Sequence, residues 1–161
     1  MHVVGAVMKI HGEWVTTLVK DVVVRTAAGS FNEEGTIACF YDTQKNAPKD
    51  RPWAILNYAV HWEMSTEAAL NLYPMMRDWV FSHGCICIVV VVSTDMRLKI
   101  HKNQTGGYSE EHVRYVTSME EACNWLRSKG FEFEASDYPH AEFLEHVKKM
   151  EELRDLGFMR F

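Results

Sequence analysis

The hydrophobic positions along this chain fall into short, nearly unbroken runs separated by amphipathic stretches. The clearest run, residues 85–92, is almost entirely apolar and β-branched, too short to cross a bilayer and too apolar for a strand with one face in water. Such strands are typical of parallel sheets that helices cover on both faces. The run therefore predicts an α/β fold, with functional groups expected at the carboxyl ends of the strands.

Further runs have the β-branched and aromatic composition of strands. They comprise residues 14–19, 22–27, 53–60 and 112–117. Lys20 and Asp21 separate the first two runs, which predicts a hairpin with a two-residue connection. The later runs alternate with helical patterns, so we predict a mixed, mainly parallel sheet of about five strands covered by helices.

Capping residues and breakers mark the first helices. Asn32 is placed to cap a helix that carries Ile37, Phe40, Tyr41 and Gln44 at helical spacing and ends before Pro48. The next helical stretch contains Pro74. Proline has no amide hydrogen to donate to the preceding turn, and its ring crowds that turn. This predicts a kink or two shorter helices in sequence.

The last part of the chain contains two more helical patterns. Ser118 and Glu121 have the spacing of a capping box, which predicts a helix over residues 119–129. A second amphipathic pattern follows a turn-rich segment. We therefore predict a compact α/β domain over residues 1–131 and a C-terminal helical extension over residues 132–161.

Length and charge restrict the class of protein. A chain of 161 residues is long enough to bury one substantial core. Its net charge of -5, with no stripe of basic residues, makes nucleic acid an improbable partner. The amino-terminal segment lacks the features of a secretory signal, and no stretch has membrane-spanning length, so we expect no membrane insertion and a cytoplasmic location.

The four cysteines are predicted to be reduced and buried. Cys39 and Cys123 fall within helical patterns, while Cys85 and Cys87 are expected on one face of a strand. None has the two-residue spacer of a redox or zinc motif. Free cysteine commonly behaves as a small buried hydrophobe.

Polar side chains gather at the predicted carboxyl edge of the sheet. This set comprises Ser30, Asn32, His61, Glu63, Ser93, Thr94, Asp95, Thr117 and Ser118. A histidine, a carboxylate and a hydroxyl can form a hydrolytic site, but caps and turns use the same residue types. The chain has no nucleophile-elbow motif, no glycine-rich phosphate loop and no histidine pair four apart on a helix. We therefore predict no enzymatic activity, no cofactor and no metal site.

The order of elements and four junctions between them resemble the STAS domain, the fold of bacterial anti-sigma factor antagonists. The junctions are residues 31–35, 52–56, 62–68 and 117–126, and they are similar to those of the SpoIIAA-like branch of that family. The resemblance covers residues 12–131. It implies an α/β fold and a regulatory role that depends on binding another protein rather than on catalysis.

In those antagonists an aspartate and a phosphorylatable serine precede the second helix. Ser65 and Thr66 occupy the matching place here, whereas Met64 stands where the aspartate is expected. A helix amino terminus favours a phosphate, but Glu63 and Glu67 would repel the added charge. Ser65 and Thr66 are therefore candidate phosphorylation sites, with an N-cap role for Ser65 as the alternative.

These observations lead to two functional hypotheses. The first is a non-enzymatic, cytoplasmic regulatory module that docks an unidentified protein partner through Trp62, Glu63, Ser65, Thr66 and Glu67. The alternative is a small-molecule or lipid-binding domain in which the C-terminal helix forms a lid. The aromatic tail, residues 156–161, further predicts a homodimer.

Overall fold

The structure, a computed structural model, describes residues 9–63, 65–96, 99 and 109–157. Within these residues, one mixed sheet contains the strands β1 (Glu13–Val19), β2 (Val22–Gly29), β3 (Trp53–Trp62), β4 (Cys85–Val91) and β5 (Val113–Val116). The strands lie side by side in chain order, and β1 is antiparallel to β2 while the other neighbours are parallel. The predicted α/β class and mainly parallel sheet are thus confirmed.

The α-helices with defined bounds are α1 (Glu33–Asn46), α2 (Glu67–Leu70), α3 (Tyr73–Ser82), α4 (Met119–Ser128) and α5 (Ala141–Asp155), and a single 3-10 turn, Ala135–Asp137, precedes α5. The predicted cap of α1 is confirmed, because Asn32 Oδ1 accepts a hydrogen bond of 2.8 Å from the Gly35 amide. Pro74 lies in the first turn of α3, where no intrahelical donor is lost. The stretch around it accordingly forms two helices, α2 and α3.

The sheet separates two hydrophobic cores. One face carries Val23 and Ile88 and packs against α1 and α3; we call it the α1–α3 face. The other face carries Val24 and Val89 and packs against α4 and the C-terminal segment; we call it the α4–α5 face. Strand β4 is therefore covered on both sides, which is why its sequence has no polar alternation.

The linear strand order has a consequence for the helices. Each parallel strand is added on the same side of the strand before it. When all the helical connections between such strands are right-handed, they lie on the same face of the sheet. This agrees with the position of α1 and α3 on one face. Such a sheet has no point where the strand order reverses, so it lacks the crevice in which doubly wound proteins bind ligands at the strand ends.

A bulge at the start of β4 overturns one prediction about the cysteines. The register advances from Trp53 opposite Cys85 to Ala54 opposite Cys87, so Ile86 is an extra residue and is 44% exposed. Cys85 and Cys87 consequently point to opposite faces, not to one. All four cysteines are free and buried, as predicted.

The C-terminal segment packs on the α4–α5 face. Phe133 is fully buried in the core beneath α4, and Val147 of α5 is 5% exposed. No helix among the described residues is long and apolar enough to cross a membrane. The aromatic tail beyond Gly157, on which the homodimer prediction rests, lies outside the described residues.

Candidate functional site

A cavity of about 660 Å³ lies between the α1–α3 face of the sheet and the helices above it. Strands β2 to β5 form its floor, and α1, α2 and α3 form most of its roof. This volume falls within the range of small-molecule sites in proteins. The site is therefore inside the helical layer and not at the carboxyl edge of the sheet, where the sequence led us to expect it.

Three polar side chains lie in one row across the floor of the cavity, with a valine between two of them. Arg25 of β2 is opposite Asn57 of β3, and Val90 of β4 lies between Asn57 and Tyr115 of β5. The rows on either side are apolar, with Ile55 on one side of Asn57 and Ala59 on the other. Polar atoms thus form one stripe within an otherwise apolar floor.

Two buried polar atoms of the cavity lining have no hydrogen-bond partner within the described residues. They are Asn57 Oδ1 on the floor and Thr36 Oγ1 on α1. Thr36 is 5% exposed. Because a buried polar atom without a partner costs roughly 1 to 3 kcal/mol, such atoms favour a bound molecule that can hydrogen-bond to them.

The charge of the lining is positive. Arg25, Arg77 and Lys99 line the cavity, and none of the described residues in its lining is acidic. Arg25 Nη1 donates to Thr43 Oγ1 at 3.1 Å, and Arg77 Nη2 donates to the Tyr115 hydroxyl at 2.6 Å. Neither guanidinium forms an ion pair with a carboxylate of the described residues, so the local positive charge is not neutralised.

The inner face of α1 differs from the stripe predicted for it. Of the predicted stripe, Phe40 lines the cavity, but Ile37 and Tyr41 are 51% and 60% exposed. The other residues of α1 that line the cavity are Thr36, Cys39 and Thr43. Burial raises the pKa of the Cys39 thiol, although nearby Arg25 opposes the shift. This thiol is therefore protonated at neutral pH.

Of the residues predicted to bind a partner, Trp62 lines the cavity and Ser65 is buried behind the cavity wall. Trp62 Nε1 donates to Ser65 Oγ at 3.2 Å. Ser65 is 7% exposed and also lies 3.0 Å from the hydroxyl of Tyr73, which lines the cavity. Burial raises the pKa of Tyr73, so its hydroxyl remains a donor.

A bulge near the end of β3 explains the orientation of Trp62. The pairing advances from Thr26 opposite Tyr58 to Ala28 opposite His61, which inserts one extra residue in β3. The insertion directs His61 to the α4–α5 face, where its Nδ1 lies 2.9 Å from Glu151 Oε1, and returns Trp62 to the cavity. The predicted carboxyl-edge cluster is therefore divided between the two faces.

The other predicted site residues lie at the surface. Glu63 accepts hydrogen bonds from Ser30 (3.2 Å) and Arg154 (3.5 Å). Thr66, not Ser65, is the N-cap of α2, since its Oγ1 accepts from the Ala69 amide at 3.2 Å. Glu67 is exposed in the first turn of α2. The alternative N-cap role of Ser65 is thus wrong, because this side chain is directed inward.

The cavity residues that sequence reasoning missed have a recognisable signal. Arg25 and Asn57 each follow a run of three or more apolar residues within a strand, and Arg77 interrupts the inward-facing apolar positions of α3. A single polar residue in a strand covered on both faces requires a partner in the interior. Their alignment across the sheet depends on strand register, which periodicity does not provide.

The C-terminal helix does not cover this cavity. The lining includes no residue of α5, which packs on the opposite face of the sheet. Among the described residues, no group of three or more histidine, cysteine, aspartate or glutamate side chains is placed to hold a metal ion. The lid in the small-molecule hypothesis is therefore wrong, although the cavity itself agrees with that class of function.

The sequence matches no protein-family model, and no curated protein gives a significant match to it. The α/β fold accordingly rests on the structure. The kinship with STAS domains stays a prediction from the junction residues.

Proposed function

We propose that this chain is a non-enzymatic regulatory domain that binds a small molecule in the cavity between its sheet and its α1–α3 layer. The observation that carries the proposal is the cavity of about 660 Å³ with unpartnered buried polar atoms on both its floor and its roof. A ligand that occupies the cavity would bury apolar surface and satisfy these atoms. Both effects favour binding.

The chemistry of the lining favours binding over catalysis. Cys39 is a potential nucleophile in the lining, but burial raises the pKa of its side chain and keeps it as a thiol. His61, a candidate general base, is on the other face of the sheet and contacts Glu151. The described residues therefore bring no activated nucleophile together with a base in the cavity.

The proposal is tested with a neutral fluorescent probe for apolar sites, N-phenyl-1-naphthylamine. Its fluorescence is expected to rise in the presence of the wild-type protein. Val90→Trp places an indole on the cavity floor and should abolish most of that rise. Ile86→Trp is the matched control, because it adds the same side chain to an exposed position of the same strand and should leave the rise unchanged.

Native mass spectrometry of freshly purified protein gives a second measurement. A retained small molecule that disappears in Val90→Trp but remains in Ile86→Trp would support the proposal. If the probe binds equally to wild-type protein and to Val90→Trp, the cavity is not the binding site. If it binds to neither, the proposed function is wrong.

Docking of a protein partner is a second candidate function. Glu63, Thr66 and Glu67 are exposed next to the cavity wall formed by Trp62. The buried Ser65 hydroxyl links this segment to Tyr73, so Thr66 is the more accessible of the two candidate phosphorylation sites. Glu67→Lys should weaken capture of a specific partner, while Glu120→Lys, which changes an exposed first-turn carboxylate of α4, should not. Equal capture by both variants would contradict this surface.

A further inference from the structure

The chemistry of the cavity lining indicates which class of ligand the cavity accepts. This inference rests on the proposed function. The chain as a whole has 22 acidic and 17 basic side chains. Among the described residues, in contrast, the cavity lining has three basic side chains and no acidic one. A concentration of positive charge inside an acidic protein favours an anionic ligand.

Arg25 is the cation best placed to bind an anionic head group. Its guanidinium carries five donors, of which one binds Thr43 Oγ1 and another the Cys39 side chain. Asn57, with its unpartnered oxygen, is opposite Arg25 in the sheet. Cys39 and Tyr73 are close enough for the charge of Arg25 to affect both. The guanidinium thus faces a small polar region with unused donors.

Apolar side chains surround this polar region. Ala27, Phe31 and Trp62 line the cavity toward the carboxyl end of the strands, and Ile55 and Ile88 line it toward the other end. A ligand without an apolar body would leave these surfaces in contact with water or with empty space. The lining therefore excludes a purely polar anion as the best fit.

We propose that the cavity binds an organic anion with an apolar body, whose carboxylate is held by Arg25 beside Asn57. Guanidinium binds carboxylate in a bidentate manner, and hydrogen bonds between charged groups are stronger than neutral ones. A hydroxyl or amide group on the ligand body would in addition satisfy Asn57 Oδ1 or Thr36 Oγ1.

The test is displacement of N-phenyl-1-naphthylamine by dodecanoate, dodecanol and dodecyltrimethylammonium, each below its critical micelle concentration. The three share one alkyl chain and differ in the charge of the head group. Dodecanoate is expected to displace the probe at a concentration roughly tenfold or more below that of dodecanol, as one charge-assisted hydrogen bond predicts. The cationic amphiphile should be the weakest.

Arg25→Gln should remove most of the preference for dodecanoate over dodecanol. Arg114→Gln is the matched control, since this arginine lies on the α4–α5 face, 5.5 Å above the Trp125 ring. The Arg114→Gln variant should bind dodecanoate in preference to dodecanol, as the wild-type protein does. The comparison of the three amphiphiles on wild-type protein remains decisive even if Arg25→Gln fails to fold.

The outcomes distinguish this inference from the proposed function. If the probe binds and dodecanol displaces it as well as dodecanoate does, the anionic ligand is wrong while the binding cavity stands. If the preference survives in Arg25→Gln, the assignment of the carboxylate to Arg25 is wrong. If the probe does not bind, the proposed function itself fails.

Discussion

His140 joins the C-terminal segment to the sheet. Its Nδ1 lies 2.8 Å from Thr26 Oγ1 and its Nε2 lies 2.9 Å from Thr17 Oγ1, and the residue is 4% exposed. A neutral imidazole can donate through one nitrogen and accept through the other, so it satisfies both hydroxyls. Burial lowers the pKa of His140 from 6.5 to about 4. The neutral ring is thus part of the folded structure.

This lowered pKa predicts a pH dependence of stability. As pH falls below about 6.5, the unfolded chain binds a proton at His140 that the folded chain does not bind. The contribution of His140 is therefore complete above about pH 6.5 and is lost progressively down to about pH 4, with a total near 3 kcal/mol. Urea unfolding at several pH values between 6.5 and 4 measures this loss of unfolding free energy.

Two variants separate His140 from the other titrating groups. His140→Gln should flatten the decrease in unfolding free energy between pH 6.5 and pH 4. His146→Gln, a change at a half-exposed histidine of α5, should leave that decrease as it is in wild-type protein. A decrease that is the same in both variants would show that His140 does not carry it.

Asn32 connects the start of α1 to the segment that precedes β1. Asn32 Oδ1 accepts from the amides of Gly35 and His11, at 2.8 and 3.0 Å, and its Nδ2 donates to the Lys9 carbonyl at 2.7 Å. A Cβ atom at Gly35 would lie 2.0 Å from the His11 carbonyl oxygen, so only glycine permits this approach. The segment before β1 is thereby fixed across the first turn of α1.

Asn32→Ala should destabilise the protein by about 1 to 2 kcal/mol, because it removes the N-cap of α1 together with the link to the preceding segment. Asn46→Ala is the control in the same helix: Asn46 Nδ2 donates to the Asp42 carbonyl near the carboxyl end of α1. We expect Asn46→Ala to lower the free energy of unfolding by about 0.5 kcal/mol or less. Urea unfolding at neutral pH compares the two, and equal costs would argue against the cap.

At the scale of the whole molecule, the two faces of the sheet differ in how completely they are filled. The α4–α5 face is packed by Leu126 and Phe133, both fully buried. The α1–α3 face encloses the cavity. We therefore expect the free energy of unfolding to depend most on the first face, and the proposed ligand binding to depend on the second.

A chain that ends at Phe131 tests the predicted domain boundary. It lacks Phe133 and Val147, which are buried on the α4–α5 face, and His140. Loss of one buried phenylalanine costs about 3 to 5 kcal/mol, a large share of the stability of a typical domain. We expect the shortened chain to be largely unfolded by circular dichroism. A cooperative transition with the midpoint of the full chain would instead show that residues 1–131 form an independent domain.

Local signals predicted the elements but not the site. The apolar runs, the cap at Asn32 and the break at Pro74 depend on neighbouring residues, and the structure confirms each of them. The bulges in β3 and β4 depend on pairing between strands, so the orientation of Trp62 and Cys87 was not accessible from periodicity. The cavity depends on the packing of helices over the floor, for which no local pattern exists.

The fold described above places the proposed ligand site and the core beneath α4 on different sides of one sheet. Substitutions among residues that face α1 and α3 can change the size or charge of the cavity while leaving the packing under α4 intact. Effects at sites without shared contacts are close to additive. A protein with this arrangement can acquire new specificities step by step without passing through unfolded intermediates, and it offers the same freedom to an engineer who wants a sensor for another compound.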